Sequence, residues 1–116
     1  LASPGRAFLV LHLSGLEYVG KASGWMSAPY LAKATELDRS LAPLIADLER
    51  RGSYLLVITS DHAGHGLEHG TDHPEDGRRP LVIRSDRGPL PDLQGRAREI
   101  TGLRAILAPM LIGDKR

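Results

Sequence analysis

The densest chemistry in the chain lies in Ser60-Asp61-His62-Ala63-Gly64-His65-Gly66-Leu67-Glu68-His69-Gly70. A carboxylate, Asp61, and three imidazoles, His62, His65 and His69, fall within nine positions, and the glycines between them let the backbone fold these side chains toward one point. Carboxylate oxygen combined with imidazole nitrogen suits zinc first and manganese second, whereas calcium prefers an all-oxygen shell. Asp61 and His62 are adjacent, so a continuing strand would send them to opposite faces. To serve one ion they must sit where a strand ends. A lone histidine in such a loop reads as a capping or solvated residue; four between positions 62 and 73 weigh toward a divalent-metal site.

The flanking segments supply that strand end. Residues 54–59, Tyr-Leu-Leu-Val-Ile-Thr, read as a buried strand, and residues 7–13, a dense apolar run after Pro4-Gly5, read as another buried on both faces, with His12 a core histidine. A glycine-containing connection from Gly15 to Gly24 leads to Ser27, a helix cap, and to Pro29, which suits a first turn. Tyr30, Ala34, Leu37, Leu41, Leu44, Ile45 and Leu48 recur at spacings of three and four, one stripe of a long helix that Gly52 stops. Pro43 inside it predicts a kink or break. Strand, helix and strand in that order favour a parallel, right-handed unit. A third strand over residues 80–84, a turn-rich passage at 88–91 and a helix from about 99 to 111 complete an α/β pattern with a mostly parallel sheet of few strands and flanking helices. In such sheets ligands gather beyond the carboxyl ends of the strands, where residues 60–77 fall.

Composition narrows the class. With 116 residues, 41% hydrophobic and 25% charged, the chain fits a single soluble globular domain. A net charge of +1, with both signs interleaved, points to neither nucleic acid nor an anionic membrane as partner. The absence of cysteine excludes disulfides and thiolate metal sites and leaves the compartment open. The apolar run at 7–11 is too short to span a bilayer, and no targeting signal is visible. A first residue of Leu1 suggests a fragment.

Ile58-Thr59-Ser60-Asp61-His62-Ala63-Gly64-His65-Gly66, followed by His69-Gly70-Thr71-Asp72 and Pro74-Glu75-Asp76, resembles the alkaline phosphatase superfamily, and within it the type I phosphodiesterase and nucleotide pyrophosphatase group. There a strand ends in Thr-Ser-Asp-His-Gly and a later His-Gly supplies a further ligand. The resemblance extends to Trp25-Met26-Ser27, to Asp38 and to the strand beginning at Pro80, covering about residues 6–113. It implies a partial alkaline-phosphatase-like three-layer fold.

It also implies roles. Asp61 and His62 match ligands of one ion, and His69 matches a ligand of a second, whose other ligands come from an Asp-x-x-Gly-His motif. Here that motif reads Glu17-Tyr18-Val19-Gly20-Lys21. Glutamate still coordinates, but a lysine ammonium has no lone pair to offer and repels a cation. The second site is therefore degraded, with His65 as a substitute ligand and Lys21 expected to pair with Glu17 or reach a substrate phosphate. His73, Glu75 and Asp76 are expected to shape the loop, and Trp25 to anchor the helix start. The family places two ions about 4 Å apart and uses a Thr or Ser nucleophile, which belongs upstream of Leu1. The implied function is hydrolysis of small-molecule phosphate mono- or diesters, as the C-terminal, metal-binding half of a larger hydrolase, inactive alone. The alternative is a pseudoenzyme or sulfatase-like relative. A truncated sheet would also expose edges, which predicts self-association.

Overall fold

Residues 15–23, expected as part of an irregular connection, form helix α1 (Gly15–Ser23) in the computed structural model, which describes residues 7–86 and 100–112. Leu16 and Val19 are half-buried and Gly20 fully so, which gives this short segment one inward face despite its glycines. Glu17 in the first turn and Lys21 in the last complement the helix dipole, and their spacing of four places them side by side. Gly24 ends the helix at φ +95°, donating its N–H to Gly20 O.

Helix α2 (Ala28–Arg51) starts as its sequence indicates. Ser27 Oγ accepts from Tyr30 N at 3.3 Å, Pro29 occupies the first turn, and Gly52 at φ +67° closes the far end through Leu48 O. Each residue of the stripe from Tyr30 to Leu48 is half-buried. The helix runs unbroken through Pro43, so of the kink or break expected there the break does not occur. One lost donor and a steric conflict of about 3 kcal/mol are spread over a long helix whose stripe is held on both sides of the proline. Helix α1 packs against α2, with Gly15 facing Lys33 and Leu37.

Strands β1 (Leu55–Thr59) and β2 (Leu81–Ser85) pair antiparallel, with Val57 opposite Ile83 and Thr59 opposite Leu81. The protein is α/β, but the mostly parallel sheet expected from the sequence is not formed among the described residues, where the only sheet has these two strands. The expected strand at 7–13 is likewise absent: residues 7–14 have no regular secondary structure. Phe8, Leu9, Val10 and Leu11 are 55–73% exposed, and His12 is exposed rather than a core residue. An apolar strand gains its stability from ladder partners and from cover on both faces. Among the described residues neither is supplied.

The chain divides into two compact units, Leu13–Pro89 and the pair Leu1–His12 with Leu90–Arg116. The second contains a single turn of 3₁₀ helix (Ile100–Gly102) and helix α3 (Leu103–Ile112), close to the expected C-terminal helix. The turn-rich passage at 88–91 lies outside the described residues. Among those described, no helix is long and apolar enough to cross a membrane.

Candidate metal centre

Strand β1 stops at Thr59, so Asp61 and His62 follow a strand end, as their adjacency requires. The loop beyond is held from inside by Asp76, which is only 6% exposed. Its carboxylate accepts from His65 Nδ1 at 2.7 Å, from Thr71 N at 2.7 Å and from Thr71 Oγ1 at 2.9 Å. The bond to His65, followed by that from the Thr71 backbone, holds the Asp76 carboxyl at about 2, below its ordinary 3.8. Asp76 O receives Ala63 N, and His65 and Glu68 exchange backbone bonds around Gly66, whose φ is +50°. His73 stacks on His65 with ring centroids 3.9 Å apart. His73 and Asp76 thus shape the loop.

Trp25 joins this loop to α1. Its backbone N–H donates to Gly66 O at 2.8 Å, and its indole covers Gly20 of α1 and Gly64 of the loop so closely that a Cβ would meet the ring at 2.7 and 2.5 Å respectively. The same ring lies 5.3 Å from His69 and 6.5 Å from Tyr30. Burial raises the Tyr30 phenol pKa, and the Glu17 charge adds to that.

Held in this way, Glu17, His62 and His69 present ligand atoms within 4.8 Å of one another. His62 Nε2 lies 3.6 Å from Glu17 Oε2, His69 Nε2 lies 3.2 Å from Glu17 Oε1, and the two imidazoles stack with centroids 4.3 Å apart. His62 Nδ1 faces Ala63 O at 2.8 Å. A carbonyl only accepts, so Nδ1 donates to it, and Nε2 is the ring nitrogen turned toward the Glu17 carboxylate. Zinc bonds of about 2.0–2.2 Å in tetrahedral geometry separate ligand atoms by about 3.4 Å; His69 Nε2 lies 3.2 Å from one Glu17 oxygen and His62 Nε2 3.6 Å from the other.

A second group, His65, His73 and Asp76, also brings its ligand atoms within 4.8 Å of one another. There the carboxylate-to-imidazole distance of 2.7 Å is that of a direct hydrogen bond, and Thr71 saturates the other carboxylate oxygen. This group is a clasp, and His65 is turned toward Asp76 rather than toward Glu17.

Asp61 stands outside the Glu17 group. Its side chain is 79% exposed, with Oδ2 3.8 Å from His62 Nε2 and Oδ1 accepting the His62 N–H at 3.0 Å. Next to it in the chain, Ser60 Oγ is buried without a hydrogen-bond partner among the described residues. Lys21 Nζ sits 2.5 Å from Glu17 Oε1, the pairing anticipated from their spacing. That hydrogen bond is the first cause of a lowered Glu17 pKa, with the His69 and His62 charges acting the same way.

The sequence profile of the type I phosphodiesterase / nucleotide pyrophosphatase family matches residues 3–100. The chain belongs to this family, within the alkaline phosphatase superfamily, and phosphoester chemistry is the family's business. It is 34% identical over 77 residues to GPI ethanolamine phosphate transferase 1 of Neurospora crassa and equally so to the protein of that name from Aspergillus oryzae. Each match takes in 63% of this chain but only 8% of the relative. No solved structure matches it significantly.

Proposed function

We propose that this chain is the metal-binding segment of a phosphoester hydrolase, with Glu17, His62 and His69 holding a divalent ion, zinc before manganese, and Asp61 closing on it from the exposed side. The observation that carries this reading is the convergence of Glu17, His62 and His69 ligand atoms within 4.8 Å of one another, with His62 Nε2 3.6 Å from the Glu17 carboxylate, a separation suited to a shared ion and too long for a direct bond. An ion bound there would activate an attacking oxygen or neutralise charge on a phosphoryl group. The protein's own part is positioning. Ala63 O fixes the His62 ring, Trp25 backs the His69 ring, and the Asp76 clasp holds the loop in register with β1. The nucleophile is assigned to a part of the longer protein outside this chain, which is therefore inactive alone. A mostly parallel, three-layer arrangement is proposed for the assembled domain.

The two fungal relatives, ethanolamine phosphate transferases by name, favour a second reading, in which the phosphoryl group is transferred rather than hydrolysed. The test is titration of the chain with zinc and with manganese by calorimetry, alongside Asp61→Ala and His62→Ala, and hydrolysis of nitrophenyl phosphate mono- and diesters by the longer protein with and without an alcohol acceptor. Zinc binding lost in His62→Ala supports the metal reading. A folded chain that binds neither ion sinks it.

A further inference from the structure

The cation position of the Glu17 group already has a claimant within the protein. Lys21 follows Glu17 by one helical turn on α1, and its Nζ lies 2.5 Å from Glu17 Oε1. The His69 imidazole approaches that same oxygen at 3.2 Å. One carboxylate oxygen is thus shared between an ammonium and a group suited to holding a metal ion. The two cations are incompatible at close range: a divalent ion about 4 Å from an ammonium is disfavoured at least about tenfold, even with the screening of water. The lysine side chain is 54% exposed and is anchored among the described residues by Glu17 alone, so it can swing into solvent when displaced.

We propose that Lys21 is a built-in competitor for the Glu17–His62–His69 centre, its ammonium supplying the positive charge there until an incoming divalent ion expels it. The inference rests on the metal reading above. It makes the centre a weak, displaceable metal site rather than a permanently loaded one.

Zinc affinity of the chain, measured by calorimetry, tests this in four proteins: the unaltered chain, Lys21→Met, the double variant Lys21→Met/Glu17→Gln, and Lys33→Met. Lys33 also pairs with a glutamate on its own helix, Glu36, so its replacement changes net charge equally without touching the centre. The expected result is a gain of about tenfold or more in Lys21→Met, loss of that gain in the double variant, and no change in Lys33→Met. Zinc binding by Lys21→Met within twofold of the unaltered chain, with binding weakened in the double variant, overturns the competition and leaves the metal reading standing. A gain shared by Lys33→Met shows a general charge effect and also overturns it. No zinc binding by the folded chain or by Lys21→Met removes both.

Discussion

Replacing Gly64 with alanine tests the packing that brings the two halves of the centre together. The new Cβ would lie 2.5 Å from the Trp25 ring and 2.8 Å from Glu68 O. Overpacking costs about 1–3 kcal/mol where side chains can adjust, and Glu68 O is backbone held by its bond to His65, so the cost belongs at about 3 kcal/mol. Gly20→Ala meets only the Trp25 side chain, at 2.7 Å, and gains about 1 kcal/mol of helix propensity in α1, so its net cost is about 1 kcal/mol. Gly77→Ala meets nothing within 4 Å and should stay within about 0.5 kcal/mol of the parent. Urea denaturation ranks the three, and since Trp25 is the sole tryptophan its emission reports the contact directly. A Gly64→Ala protein as stable as Gly77→Ala, with unchanged emission, would refute the packing argument.

The Asp76 carboxyl is lowered to about 2 in the fold from 3.8, so its stabilising contribution is complete above the ordinary value and is lost as pH falls toward 2. Asp76→Asn should be less stable near neutrality and should lose less stability than the parent between about pH 4 and pH 2; superimposable acid profiles would count against the clasp. The exposed Phe8–Leu11 run predicts concentration-dependent self-association, which Leu9→Ser/Val10→Ser should weaken. Sedimentation as a clean monomer at high concentration would contradict that.

The sequence made some of this legible and hid the rest for physical reasons. Ser27, Pro29 and Gly52 mark the ends of α2 because capping is local chemistry, written in the residues at the ends. The strand at 55–59 and the break after it could be read for the same reason, as β-branched and apolar residues stop at a polar, glycine-rich loop. The region around α1 misleads because Gly15, Gly20 and Gly24 look like loop punctuation, whereas Gly20 is small to admit Trp25, a contact made from outside the helix. The Glu17 and Lys21 spacing of four was the available signal for a helix there. Residues 7–13 carry the composition of a buried strand, but composition cannot say whether partners are at hand. Asp76 is expected from the sequence to shape the loop together with His73 and Glu75, but its partners cannot be read there, because the fold brings Thr71 and His65 to it.

Crystals grown with zinc and measured at the zinc absorption edge would test the central claim most directly. The account predicts an anomalous peak about 2.0–2.2 Å from His62 Nε2, His69 Nε2 and a Glu17 carboxylate oxygen, with the Lys21 ammonium displaced from Glu17. A peak bound instead by His65, His73 and Asp76, or a Glu17–Lys21 pair left intact with no ion beside it at saturating zinc, would contradict it.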